Sequence, residues 1–169
     1  MGDILSYTKR LDLLDLKILS EIQDDGRVQV VDLAERVNLT KSPCLKRLRR
    51  LEKDGFIRGY RADIDPHKVD LGHLVYVQVK LESTAREKLD KFNMAVRQVP
   101  EILTCHMMSG GYDYLLKIRS KDVGAYRALL GDVISYLPGV QQTSTFPVLE
   151  EVKDITQLVI DKAVMRGER

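Results

Sequence analysis

The spacing of apolar positions changes once along this chain, and the change predicts two units. In the first third, apolar residues recur at three and four. Leu11, Leu14, Ile18 and Ile22 form a helical stripe that stops at Asp24-Asp25-Gly26. Leu33, Ala34 and Val37 mark a second, short helix ending near Asn38. A third helix is predicted from about Ser42 to Lys53. Thr40 or Ser42 can cap it, Pro43 suits a first turn where a missing N–H costs nothing, and Gly55 lies just past its end. Phe56-Ile57-Arg58-Gly59-Tyr60 then reads as a short strand, in the position of a wing.

From residue 75 the period becomes two. Val75, Val77, Val79 and Leu81 alternate with Tyr76, Gln78, Lys80 and Glu82, which predicts a strand with one buried face. Thr84 and Glu87 have the spacing of a capping box ahead of a helical stripe at Leu89, Phe92, Val96 and Val99, and Pro100 ends that stripe. Two further alternations follow, Leu103-Cys105-Met107 and Tyr114-Leu116-Ile118, joined by the tight connection Ser109-Gly110-Gly111-Tyr112. Asp122 can cap a second helix that carries Val123, Tyr126, Leu130, Val133 and Leu137. A last strand is predicted over 140–148, with 155–160 as a possible edge. The order βαββαβ predicts a ferredoxin-like antiparallel sheet with both helices on one face. The fold class is therefore α+β. A winged-helix-like helix-turn-helix over 1–60 is followed by a linker over 61–73 and a ferredoxin-like domain over 74–169.

Composition adds little until charge is placed along the chain. Hydrophobic residues are 44% and charged residues 31%, ordinary for a globular protein, and the net charge is only +2. Between Thr40 and Arg61, however, eight basic residues face only Glu52 and Asp54. On a helical wheel Cys44, Leu48 and Leu51 share one side of the third helix, Lys46, Arg49, Arg50 and Lys53 the other, and Arg47 flanks them. Concentrated positive charge on one helix face is what a phosphate backbone requires, and such a helix fits the major groove with its first residues at base edges. The candidate DNA-binding residues are Lys41, Ser42, Pro43, Lys46, Arg47, Arg49, Arg50, Lys53 and Arg58, with Arg47, Arg49 and Arg50 foremost.

Both halves together resemble the Lrp/AsnC family of leucine-responsive and asparagine-responsive regulators. The likeness runs from about Leu11 to Val152. It rests on LDLLDLKIL at 11–19, DGR at 25–27, LAERVNLTKSPCLKRLRRLEKDGFIRGY at 33–60, SGGYDYLLK at 109–117, AYRALLGDVISYLPGV at 125–140 and EEVK at 150–153. The resemblance implies a regulator that reads double-stranded DNA as a dimer, assembles further, often to octamers, and binds an amino acid between its C-terminal domains. It places the effector loop on Ser109, Gly110, Gly111, Tyr112 and Asp113, and effector-linked positions on Met107, Val123, Phe146, Pro147 and Val148. Pro147 departs from the family, which usually has a β-branched residue there, and proline cannot donate to a ladder or a ligand.

The residues also suggest an amino-acid site on their own chemistry. Gly110-Gly111 lets backbone N–H groups approach a carboxylate, and Asp113 can pair with an ammonium group. Thr143, Ser144 and Thr145 add hydroxyls, while Met107 and Val148 offer an apolar wall. The plainer alternative makes Gly-Gly a hairpin turn and Asp113 a turn residue. No other cofactor is expected. His67, His73 and His106 lie at no metal-ligand spacing with cysteines or carboxylates, and Cys105 and His106, adjacent on a strand, should point to opposite faces.

No run of apolar residues is long enough to span a membrane, and MGDILSYTKR has no secretory pattern, so a cytoplasmic location is expected. MGDILS fits a loose myristoylation pattern that a regulator does not need. Cys44 and Cys105 are expected to be reduced. Two rival functions are an amino-acid-binding assembly module without a DNA role and a small ferredoxin-like enzyme.

Overall fold

Local signals start each helix of the N-terminal unit. In the computed structural model, which describes residues 11–160, α1 spans Leu13–Asp24. It opens on a reciprocal cap in which Asp15 N–H donates to Asp12 Oδ1 at 2.9 Å and Asp12 N–H donates to Asp15 Oδ2 at 3.0 Å. The second helix, α2, covers Val30–Arg36 and ends on Asn38 in the left-handed region. The third, α3, covers Lys41–Lys53, with Pro43 in its first turn and Gly55 beyond its end at φ +78°. Thr40 stands at its cap, but the hydroxyl makes no capping hydrogen bond. Ile18, Leu33, Ala34, Val37, Cys44, Leu48 and Leu51 meet in a core that Leu11, Ile22, Phe56 and Ile57 cover.

The expected wing strand at 56–60 does not form. Among the described residues this unit contains no second strand to pair with it. Instead the segment folds back: Ile57 N–H donates to Leu51 O at 3.1 Å, and the Tyr60 hydroxyl donates to Glu52 at 2.8 Å. Burial, then that bond to Glu52, pushes the Tyr60 hydroxyl up to about 12.

The second unit is a four-stranded antiparallel sheet in the order β2-β3-β1-β4, formed by β1 (His73–Leu81), β2 (Ile102–Met107), β3 (Tyr114–Ser120) and β4 (Val140–Pro147). Its crossovers carry α4 (Arg86–Val96) and α5 (Val123–Asp132), and Asp122 caps α5 by accepting from Ala125 N–H at 2.8 Å. Both helices pack on one face. Phe92, Val96 and Tyr126 meet Val75, Val77, Val79, Tyr114, Leu116 and Ile118. The Thr84–Glu87 capping box is not made. The helix begins only at Arg86, so Thr84 stands too early, and Ser83 Oγ takes the Ala85 N–H instead.

Three further expectations need correction. Leu103 is not a core residue: the β2–β3 register shifts between Ile102 and Thr104, so Ile102 and Cys105 pack inward while Leu103 is left 53% exposed. Residues 155–160 form no edge strand; by its contacts the described chain from Asp154 groups with the N-terminal unit, and Ile64–Lys153 form the second. The tail is held by amides. Leu158 N–H donates to Gln23 Oε1 at 2.7 Å, and Gln23 Nε2 donates back to Leu158 O at 3.2 Å. Part of the expected linker is also ordered: Asp65 caps a 3₁₀ turn over Pro66–Val69 by accepting from His67 N–H.

Pro147 leaves the ladder intact. Val148 N–H donates to Leu74 O at 3.0 Å, so on the edge strand β4 the inward donors are the even-numbered residues. At Pro147 the missing N–H would have faced away from the sheet, where proline is tolerated. Among the described residues no helix is long and apolar enough to cross a membrane. The amino-terminal pattern weighed above lies outside those residues.

Candidate DNA interface and ligand pocket

One face of α3 is core and the opposite face is free cation. Cys44, Leu48 and Leu51 are buried, whereas Lys41, Ser42, Pro43, Lys46, Arg49 and Lys53 are exposed, as is Arg58 beyond the helix. Ser42, Lys46, Arg49 and Lys53 follow one another at helical spacing, so they make a single stripe opposite the buried side.

Arg47 and Arg50 are placed differently from the expectation. Arg47 Nη1 donates to Asp12 Oδ2 at 2.6 Å and to Asp15 Oδ1 at 2.8 Å, and Arg50 Nη2 donates to Asp15 Oδ2. Both guanidiniums are thus tied to carboxylates of α1. Asp12 and Asp15, which sequence reasoning passed over, are the missing partners; a Ser/Thr/Asp/Asn cap three residues before a carboxylate was the readable signal.

Burial pushes the Asp12 carboxyl up, but the Asp15 N–H and the Arg47 guanidinium outweigh it and hold the group below its ordinary 3.8. A carboxylate with a lowered folded value stabilises fully above its unfolded value, and the contribution is lost as pH falls through the folded one. Asp12 is half-exposed, so the loss should not exceed about 1 kcal/mol. Urea unfolding of wild type and Asp12→Asn should therefore differ at pH 6 and converge below the ordinary carboxylate range. A constant difference would mean that charge at Asp12 does not matter.

In the second unit, the 109–113 loop is stitched to the end of β1. Asp113 N–H donates to Val79 O at 2.9 Å, and its Oδ2 accepts from Leu81 N–H at 2.7 Å. Met108 N–H donates to Asp113 O at 2.9 Å. Asp113 is thus first a turn-fastening residue. Gly110, at φ +147°, supplies a backbone conformation that side chains disfavour. Beside the loop, on the sheet face away from the helices, Gly111 and Tyr112 join Gln78, Lys80, Gln142 and Ser144 around a shallow pocket. Lys80 Nζ donates to Gly111 O at 3.3 Å. Gln78, Lys80 and Gln142 went unnoticed because the alternation of the strands was read only for its apolar phase.

The other expected effector residues do not join this pocket within one chain. Thr143 and Thr145 pair with Val79 and Val77, which places them on the helix-covered face, and Thr145 shares a hydrogen bond with the Tyr126 hydroxyl. Val123 is 66% exposed at the start of α5, and Met107 is exposed at the end of β2. Ser109 is exposed in the loop. Phe146 lies opposite Tyr76 and Val148 beyond it, so Val148 stands about 20 Å along the strand from Gln142. Burial pushes the Cys105 thiol up to about 11, far from a reactive thiolate at neutral pH, while the neighbouring His106 is exposed.

The fold and the basic stripe define a helix-turn-helix DNA-binding regulator joined to a ligand-binding domain. Residues 11–58 match a winged helix-turn-helix DNA-binding model, and residues 74–158 match the Lrp/AsnC ligand binding domain. The chain belongs to the Lrp/AsnC family. It is 49% identical over 152 residues to the leucine-responsive regulatory proteins of Escherichia coli and Salmonella typhimurium, covering 90% of this chain and 93% of each relative. Among solved structures it is similar to a transcriptional regulator of Neisseria meningitidis in complex with L-Met, with TM-score 0.84, 38% identity and coverage of 90% and 98%. An AsnC family regulator of Agrobacterium tumefaciens superposes with TM-score 0.85 at 36% identity, covering 90% and 99%.

Proposed function

We propose that this chain is a cytoplasmic transcription regulator whose assembly and DNA binding respond to a free amino acid: leucine, or a related one such as proline, alanine or methionine. The observation that carries the DNA part is the stripe of Ser42, Lys46, Arg49 and Lys53, exposed opposite the Cys44–Leu48–Leu51 core. Two such helices from a symmetric dimer would meet a pseudo-palindromic site.

The ligand part rests on a geometric argument. Gly111 and Tyr112 form one group at one end of the sheet and Val148 and Val123 a second toward the other, while Ser144 and Phe146, two residues apart on one face of β4, stand between them. One amino acid cannot touch both groups in a single chain. A site using both needs a second protomer, and that requirement supports a dimer; assembly beyond it, to octamers, belongs to the same proposal. It also gives the ligand different affinities for different assemblies, the condition for coupling of about 1–3 kcal/mol, or roughly 5–150-fold.

Light scattering with and without leucine, proline, alanine and methionine, beside gel shifts on promoter-derived and random-sequence DNA, tests this reading. One amino acid should change mass and DNA affinity together. DNA binding with no response to any of the four would reduce the second domain to an assembly device. Retained ligand response without DNA binding would leave the assembly-module reading.

A further inference from the structure

The ion pairs between α1 and α3 ask for an explanation that packing does not supply. Asp15 is fully buried, yet Ile18 beside it already joins the apolar core. Every carboxylate oxygen of Asp12 and Asp15 has a donor: Asp15 N–H and Arg47 on Asp12, and Arg47, Arg50 and Asp12 N–H on Asp15. The donors on α3 lie one turn apart, on the flank between core and free stripe. A fork bound at two points resists rolling of the helix about its own axis more than apolar contact can, because apolar packing is non-directional.

We infer that Asp15, assisted by Asp12, is a positioning residue for DNA recognition: it withholds Arg47 and Arg50 from phosphates and fixes the roll of α3 so that Ser42, Lys46, Arg49 and Lys53 face the groove. The inference rests on α3 being the DNA-reading helix. It has an electrostatic consequence. Of the eight basic residues between Thr40 and Arg61, two are already neutralised within the protein, so they release no counterions from DNA. Lost sequence-independent attraction is exchanged for a fixed presentation of the remaining cations, and that favours discrimination over raw affinity.

The test compares salt slopes and promoter preference in full-length variants, using the promoter-derived fragment that wild type binds most tightly in gel shifts and random-sequence DNA. Arg49→Ala should flatten the slope of log affinity against log salt by about 0.9 per chain, the value of one phosphate contact. Arg50→Ala should leave the slope unchanged but lower the ratio of promoter to random-sequence affinity several-fold. Arg50→Lys, which keeps a cation beside Asp15, should recover much of that ratio. Asp12→Asn, at a half-exposed site, should release Arg47 in part, steepening the slope and raising affinity for random DNA. It also serves where Asp15→Asn does not fold.

If Arg50→Ala flattens the slope as much as Arg49→Ala does, Arg50 is a phosphate ligand and the inference is overturned. An unchanged promoter preference in both Arg50→Ala and Asp12→Asn would overturn it as well. If Arg49→Ala itself leaves the slope unchanged, the assignment of α3 to DNA fails first.

Discussion

Replacing Lys46, Arg49 and Lys53 together with alanine should weaken DNA binding by about a hundredfold near physiological salt and flatten the salt slope by about 2.7 per chain. All three side chains are exposed on the face of α3 opposite Cys44, Leu48 and Leu51, and no ion pair within the described residues engages them. Each contact with a phosphate releases counterions worth about 0.9 in slope, or roughly fivefold in affinity at 0.15 M salt. A dimer presenting two such helices doubles the slope change per particle. Alanine is a better helix former than either lysine or arginine, so α3 should persist and far-ultraviolet circular dichroism should not change. Gel shifts across a salt series provide the measurement. A large loss of affinity with an unaltered slope would mean that the stripe reads bases rather than phosphates.

The face of α3 was legible because helical spacing alone separates Cys44, Leu48 and Leu51 from Lys46, Arg49 and Lys53. A wheel gives the angle of a side chain but not what stands across from it. Arg47 and Arg50 meet carboxylates 32 and 35 residues away, and only the packing of α1 on α3 brings those groups together.

The strands show the same division. The alternation of Val75, Val77, Val79 and Leu81 located β1 and its core face, because a period of two belongs to the backbone itself. Leu103 obeyed the same pattern and was misplaced, since one inserted residue in β2 reverses the faces that follow. Residues 155–160 look like an edge strand by composition. Their backbone partner is the Gln23 side-chain amide, a choice that apolar patterning cannot express. The candidate pocket was half visible. The loop at Gly111 was evident, but Gln78, Lys80 and Gln142 enter it only through the strand register.

The largest stability effect is expected at Phe92. Its side chain is fully buried, and its ring lies 4.5 Å from that of Tyr114, tilted by 38°. Truncation to alanine removes the transfer free energy of the ring and leaves a cavity between α4 and the sheet, a loss of about 3–5 kcal/mol. Part of that, about 0.5–1.5 kcal/mol, belongs to the aromatic pair itself. Against a typical total of about 5–15 kcal/mol, such a loss brings a domain close to unfolding. Phe92→Leu keeps most of the apolar volume and should cost less than half as much.

The damage should stay local, because Ile18, Leu33, Val37, Leu48 and Leu51 form a core of their own in the other unit. Hydrogen exchange resolves the two. In Phe92→Ala, amides of β1 and β3 should lose protection while those in the middle of α3 keep theirs, and any amino-acid response should disappear before DNA binding does. Equal loss of protection in α3 would mean that the two cores unfold as one cooperative unit.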